Sequence, residues 1–379
     1  MKILHTSDWH LGHMLYNYDR SEEQRGMLEQ IADIASRERP DALVVSGDVY
    51  HTSTPSSTVQ QMFVEAVMRI RAAVPEMAIV ITAGNHDSPS RHEIFRLPWE
   101  EMGVQMIGVL DREQPDRHIF HLPGKGFIIA IPYVNERLLP EGFIQGLLDT
   151  VGDRNAEGLP VVMMAHTTVE GCDFTGHDRI GERTIGGIDS IPLDALAQGY
   201  DYLALGHIHK GQTIGDRVRY CGTPLAVGFD EQYEHSVTLV DIRHHGDLPS
   251  LTLLPLTTPH PLVTLPTQGF APWDEALALL AAFPDDLPAY IRLNVEVDDF
   301  LAPDATADAL AAVSDKRCRF CHINVRRRER TSHQAASLTV DELRSEAPVD
   351  IARRYAQDKG IAFSDEMAEL FHQAEQSLT

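Results

Sequence analysis

Cysteine is scarce in this chain. Four occur among 379 residues, Cys172, Cys221, Cys318 and Cys321, and their scatter offers no disulfide framework. Long apolar runs are missing too, so no segment is long enough to span a membrane as a helix. The N-terminus enters a strand-like run directly and lacks the pattern of a secretory signal, which makes the cytoplasm the expected compartment. Positive charge is in short supply. The 32 Lys and Arg stand against 56 Asp and Glu, a net charge of −24, so the overall field does not gather nucleic acid. Any DNA contact must then use local basic patches, bound metal or a partner's surface. No Gly-x-x-x-x-Gly-Lys-Ser/Thr stretch occurs, and an ATP-driven step would have to come from another chain. Internal repeats and low-complexity tracts are absent as well.

What remains is ordinary for a folded protein, 43% hydrophobic and 23% charged, and long enough for a large domain with smaller additions. Ser21 to Arg39 reads as a helix opened by a Ser21…Gln24 capping box and ended by Pro40, with Met27, Leu28, Ile31, Ile34 and Ala35 on its apolar face. Residues 56–74 repeat the period through Val59, Phe63, Ala66, Val67 and Ile70. Strands alternate with helices to about Ala165, which predicts an α/β layered fold. After Gly206 the pattern turns strand-rich over 217–221, 235–242 and 250–256, which fits a second sheet packed on the first. Residues 257–268, with Pro259, Pro261 and Pro266, read as a linker. Ile291–Val297, a helical Asp304–Val313 and Cys321–Val325 suggest a small α+β module. From Leu338 the chain reads as helical: one helix starts at Pro348, carries Ile351, Ala352 and Tyr355, and stops at Gly360. Ser364 can cap a second one bearing Met367, Leu370, Phe371 and Ala374. The expected domains are therefore 1–256, 257–337 and 338–379.

Polar groups that can bind metal recur in one format along the larger part. Asp8-Trp-His10, Gly47-Asp48, Gly84-Asn85-His86-Asp87, Ala165-His166 and Gly206-His207-Ile-His209 each follow a short apolar, β-rich run. Ligands in open α/β sheets bind beyond the carboxyl ends of strands, so these loops should converge. Two ions clamping a phosphate need hard oxygen donors and imidazoles. Asp48 is the natural bridge, since one carboxylate can serve both ions, and Asn85 can ligate through its amide oxygen without added charge. A single Asp-x-His or His-x-His would be weak evidence. Five such motifs, each after a strand, favour a dinuclear site over a structural polar cluster.

This set resembles the calcineurin-like metallophosphoesterase superfamily. The opening Ile3-Leu-His-Thr-Ser-Asp-Trp-His-Leu-Gly12 is narrower and resembles its DNA-repair nuclease branch, as do Gly186-Gly187-Ile-Asp, Leu205-Gly-His-Ile-His-Lys210 and Gly222-Thr-Pro-Leu225. Thr223 stands where members of that branch often carry serine, and Met14 to Asp19 differs from many of them; neither departure removes a ligand. The resemblance implies an α/β fold: a two-sheet metallophosphoesterase sandwich flanked by helices, with a small α+β domain capping the DNA and a C-terminal helical tail. It implies one ion on Asp8, His10, Asp48 and His209 and another on Asp48, Asn85, His166 and His207. Manganese is the expected metal at both, with magnesium as the alternative. The ions would activate water and stabilise the leaving oxygen. By the same resemblance His86 is the general acid, Asp87 orients its ring, and His51 helps position the phosphate. In the alternative, His86 only buttresses Asn85 and His51 has a structural role. Duplex-end exonuclease and single-strand or hairpin endonuclease action would follow, in DNA repair, recombination and replication. The partners would be DNA, a second copy contacting through Ser56–Val74, and a coiled-coil ATPase that receives the tail in a heterotetramer.

Two other functions fit parts of the sequence. A small-molecule phosphoesterase would share the ligands but has little need of residues beyond 256. A non-catalytic DNA-end scaffold would not need the complete ligand set. Cys318-Arg-Phe-Cys321 lacks the second pair that a zinc site needs, and His244-His245 reads as a solvated turn. His92, His118, His121 and His177 have no partner spacing. Gly171 to Gly187, with Arg179 and Arg183, reads equally as a substrate loop or a flexible surface loop. Arg326-Arg327-Arg328, near Lys316, Arg317, Arg319 and Arg330, reads first as a charge-protected strand edge and second as a DNA patch.

Overall fold

Strands buried on both faces need apolar side chains in both directions, and the strands of this chain supply them. The computed structural model describes residues 1–135, 139–175, 191–328, 347–358, 363–364 and 367–370. They divide into two compact units, Met1–Val295 with Leu301–Arg326, and Glu296–Phe300 with Arg327–Thr379.

In the first unit one six-stranded sheet contains β1 (Lys2–Thr6), β2 (Ala42–Ser46), β3 (Ala78–Thr82) and β4 (Val104–Ile107), parallel and adjacent in that order. The second sheet contains β5 (Ile119–Leu122), β6 (Gly126–Ala130), β7 (Val161–His166), β8 (Tyr202–Gly206), β9 (Gln212–Ile214) and β10 (Val218–Tyr220) in the order β9-β10-β8-β7-β6-β5. Two late strands, β11 (Ser236–Asp241) and β12 (Ser250–Pro255), return to the first sheet, with β11 antiparallel to β1. This corrects part of the expectation for the strand-rich stretch after Gly206: 217–221 falls in the second sheet, whereas 235–242 and 250–256 join the first. Alternation identifies a strand but not its neighbour, and β11 pairs with β1 across more than two hundred residues of sequence.

The period of two sorts the side chains. Ile3, Val44, Val80, Ile128, Val162 and Ala204 fill the layer between the sheets. Leu4, Leu43, Val45 and Ile79 turn the other way, onto α1 (Ser21–Glu38) and α2 (Ser57–Ala73), where Met27, Leu28, Ile31, Phe63 and Ile70 meet them. Ile129, Met163, Leu203 and Leu205 likewise cover α3 (Phe143–Arg154). The expected capping box does not form: Arg20 is the N-cap and bonds through no side-chain cap, and Asp19 instead accepts from the Ser21 amide and hydroxyl. Gln24 is drawn off to the Gly12 amide and the His13 carbonyl. Ser56 does cap α2, accepting from the Val59 amide at 3.3 Å.

The expected linker is shorter than 257–268, because Leu262–Leu265 within it forms a strand, β13. With β14 (Tyr290–Val297) and β15 (Arg319–Arg327) it makes a three-stranded sheet, β15 at one edge, accompanied by α4 (Trp273–Ala281) and α5 (Ala305–Ala312). Tyr290 seats this module on the first sheet's helices: its hydroxyl donates to Glu23 at 2.7 Å, and Arg20 lies over its ring. The basic run is largely engaged within its own unit. Arg319 lies over Tyr18 and Tyr290, Arg326 over Phe270, and Lys316 pairs with Asp285.

In the second unit Arg327 lies over the Phe300 ring and Arg328 pairs with Glu296 and Asp298. The helix α6 spans Pro348–Asp358, matching the start expected at Pro348, and the Ser364 hydroxyl accepts from the Met367 amide at 3.3 Å. Gly360, Phe371 and Ala374 lie outside the described residues, as do Arg330, His177, Arg179, Arg183 and Gly186-Gly187. Among the described residues no helix is long and apolar enough to cross a membrane.

Candidate metal centre

Five parallel strands deliver the candidate groups from their C-terminal ends: β1 before Asp8, β2 before Asp48, β3 before Asn85, β7 at His166 and β8 before His207. The first two loops are zipped together, Asp8 N–H donating to the Gly47 carbonyl and His10 N–H to the Asp48 carbonyl, both at 3.0 Å. Asp8, His10, Asp48 and His207 adopt positive φ of 53°, 44°, 50° and 95°. Such backbone costs a non-glycine residue on the order of 1–3 kcal/mol and persists where surrounding contacts over-determine it. Close approach also dictates two glycines. A Cβ on Gly84 would fall 2.0 Å from Asp48 Oδ1, and one on Gly206 would fall 1.9 Å from the Ser46 carbonyl oxygen.

All seven candidate ligands come together. His10 Nε2 and His209 Nε2 face each other at 3.1 Å, with an Asp8 oxygen in the same cluster. Asn85 Oδ1 lies 3.0 Å from both His166 Nε2 and His207 Nδ1. Asp48 Oδ2 sits between the two groups, 3.3 Å from His166 Nε2 and 3.8 Å from His10 Nε2. Asp8 also reaches both, clustering with Asp48 and His166 as well as with His10 and His209. Outer contacts turn the imidazoles: His166 Nδ1 donates to the Ser46 carbonyl at 2.8 Å and His209 Nδ1 to Glu231 at 2.9 Å. Both Nε2 atoms are thereby turned inward, toward the donor cluster.

The electrostatics favour a cation. Burial raises the Asp8 carboxyl above its usual range. Burial opposes charge on His166, yet the Asp48 and Asp8 carboxylates hold its pKa up to about 9. His10, buried beside His209 and His86, is pushed well down and keeps its lone pair. A pocket that draws a proton onto a buried imidazole between two carboxylates has a demand for positive charge. The oxygen and imidazole donors suit divalent metal ions.

His86 and His51 stand at the rim of this cluster, their rings stacked at 5.6 Å, with His86 4.9 Å from His10. His10, His51 and His86 can bring nitrogens within 4.8 Å of one another. The orientation expected of Asp87 is corrected. Its carboxylate accepts from the Val49, Tyr50 and Gly84 amides, and the His86 ring is instead held by Nδ1 donating to the His51 carbonyl at 2.9 Å. Three backbone donors outcompete one ring for a buried carboxylate; against the effect of burial, His92 first and then the Gly84 and Tyr50 amides keep its pKa low. Asp87 thus fastens the Asp48 loop to the Asn85 loop. His245 is exposed, as expected, and also pairs with buried Asp201 at 3.0 Å. The four cysteines are free thiols, and burial pushes Cys321 up to about 12.

Sequence reasoning passed over two groups. His13 packs against His51 at 4.7 Å, and Glu231 holds His209. His13 lies three residues beyond His10 and was within reach of a local search. Glu231 follows no strand end, and its only signal was an acidic residue just beyond the Gly222-Thr-Pro-Leu225 segment.

Over residues 1–211 the sequence matches the family model of the calcineurin-like phosphoesterases. The chain belongs to that family. A second model, described as the type 5 capsule protein repressor C-terminal domain, matches residues 258–359. This phosphoesterase is similar to the SbcD subunit of the SbcCD nuclease from Rhodobacter capsulatus, 35% identical over 316 residues that cover 75% of this chain and 77% of that protein. It is also similar to the SbcD protein of Bacillus subtilis, at 30% identity covering 80% of this chain and 81% of that one. The SbcD protein of Escherichia coli K12 is 27% identical, covering 79% of each chain. Fold, family and donor set together make the chain a metal-dependent hydrolase.

Proposed function

We propose that this phosphoesterase is the SbcD-type nuclease subunit of an SbcCD complex, hydrolysing DNA phosphodiesters with two manganese ions, or magnesium in their place. The observation that carries the reading is the convergence of seven oxygen and nitrogen donors beyond five parallel strands, with Asp48 between the two halves. Asp8, His10, Asp48 and His209 would hold one ion, and Asp48, Asn85, His166 and His207 the other. Bound there, the ions supply an activated water and stabilise negative charge on the phosphate. The protein supplies geometry and a proton. His86 Nδ1–H rests on the His51 carbonyl, so Nε2 is the nitrogen that would pass a proton to the departing sugar oxygen. His51, stacked on His86, would face the phosphate. Asp87, through its three backbone amides, keeps both loops in place.

In this reading the phosphoesterase part, 1–256, cuts, the 257–337 module caps DNA, and the 338–379 tail docks on an SbcC-type ATPase. The subunit works as a homodimer within a heterotetramer in cytoplasmic DNA repair, recombination and replication. The second family match, over residues 258–359, supports a boundary near residue 257, and the relatives' names support the SbcC-type partner. Exonuclease action on duplex ends and endonuclease action on single strands and hairpins are the expected activities. The test sets manganese-dependent cleavage of hairpin and single-stranded DNA beside hydrolysis of a chromogenic phosphodiester, a phosphomonoester and a cyclic nucleotide. Cleavage of DNA supports the reading. Turnover confined to the small esters would replace it with a small-molecule phosphoesterase.

A further inference from the structure

We propose that Glu231 is a positioning residue for the metal centre, fixing the tautomer and angle of His209 and through it one of the two ions. The inference rests on the two-ion hydrolase reading above. Glu231 is only 5% exposed. Its Oε1 accepts from His209 Nδ1 at 2.9 Å, while Oε2 accepts from the Thr223 hydroxyl at 2.8 Å and the Val227 amide at 3.3 Å. The Thr223 amide in turn donates to the His209 carbonyl at 2.9 Å. Backbone and side chain of His209 are thus gripped by the same small cluster, and rotation of the imidazole would break the carboxylate contact. A carboxylate on Nδ1–H leaves the Nε2 lone pair directed at His10 and Asp8, and it raises the ring's donor strength toward a cation.

The loop that carries Glu231 is itself anchored. Asp230 pairs with Arg292 at 2.8 Å, Arg292 Nε donates to the Thr264 hydroxyl, and the same guanidinium lies over Phe229. Arg292 and Thr264 belong to the small three-stranded sheet. A continuous set of contacts therefore runs from that sheet through residues 229–231 to His209. Thr223, the residue that departs from the serine common in the nuclease branch, keeps the hydroxyl that donates to Glu231.

The test titrates manganese into the full chain by calorimetry and electron paramagnetic resonance, with circular dichroism and thermal melting as folding checks. The wild type should take up two ions. Glu231→Gln, close in shape, should fold normally and bind one of the two about 10-fold more weakly. Glu231→Met should lose about 100-fold at that ion, the range seen when such outer partners are removed, and Glu231→Asp should recover part of the loss. Full-affinity binding of both ions by folded Glu231→Gln and Glu231→Met would overturn the proposal while leaving the hydrolase reading intact. A wild type that binds fewer than two ions would overturn that reading and this inference with it. Should Glu231→Met fail to fold, the Gln variant decides alone.

Discussion

Replacing Gly84 with alanine tests the site's assembly with a single carbon atom. The new Cβ would lie 2.0 Å from Asp48 Oδ1, 2.3 Å from the Asp48 backbone nitrogen and 2.7 Å from its Cγ. Contact at van der Waals distance requires more than about 1 Å of movement, and a backbone atom among the three cannot rotate aside. Either the Asp48 loop or the loop of residues 84–87 must therefore shift. The Gly84 amide bond to Asp87 and the His86 amide bond to Asp48 would break or lengthen. Strain of this kind costs about 1–3 kcal/mol in stability. A 1 Å displacement at a reacting centre costs on the order of 100-fold in rate. Gly26→Ala is the matched control: it lies inside α1 with open space around it, so it should gain roughly 1 kcal/mol and keep its activity. Both variants would be assayed for manganese-dependent cleavage of a single-stranded oligonucleotide, for bound manganese and for thermal midpoint. A Gly84→Ala protein with two tightly held ions and turnover within about threefold of wild type would refute the close-packing argument.

Four further outcomes follow from the geometry. Asp48→Asn, at the shared carboxylate, should lose or strongly weaken both ions and abolish nuclease activity; elemental analysis showing two retained ions with normal turnover would reject the shared site. His86→Ser should keep its metal yet lose about 100-fold or more in turnover, whereas metal loss would make His86 a ligand. His5, buried against Tyr202 and near Arg219, has its pKa pushed down to about 3, so the unfolded chain binds a proton that the folded chain refuses. Its contribution is present above pH 6.5 and falls away as acid is added, by about 3 kcal/mol at pH 4.5; denaturant midpoints should show this, and an equally steep decline in His5→Gln would exclude His5 as the cause. Deleting Leu338–Thr379 should abolish co-purification with an SbcC-type ATPase while sparing manganese-dependent cleavage of single-stranded DNA, and full-affinity binding by the truncated chain would show that docking lies elsewhere.

The metal centre was legible because each donor sits within four residues of a strand end. Strand ends are local features of sequence, and one turn carries the donor past the sheet edge, as with Thr6 to Asp8 or Ser46 to Asp48. The helices flanking the first sheet were legible for a similar reason, since Met27, Leu28 and Ile31 repeat at the helical period and are buried together. What failed was whatever depended on competition between partners. Gln24 was offered a capping box but found the Gly12 amide and the His13 carbonyl. Asp87 was offered one imidazole and took three amides. Strands β11 and β12 read correctly as strands, yet their sheet was set by pairing with β1 at the other end of the chain.

Glu231 shows where this limit matters for chemistry. A net charge of −24 repels a polyanion, so any hold on phosphate at the centre of the site must come from cations that the ligands retain. Asp8 and Asp48 provide the charge that draws such cations in, and their loops are visible in the sequence. Retention also depends on the direction of lone pairs, because a histidine turned by even one tautomer presents a proton instead. For His166 that direction is set by the Ser46 carbonyl, at the end of a ligand-bearing strand. For His209 it is set by a carboxylate 22 residues away, on a loop fastened to a different sheet by Arg292. The residues that bind charge are thus encoded locally, while those that aim them are encoded by the fold, and only the assembled structure joins the two.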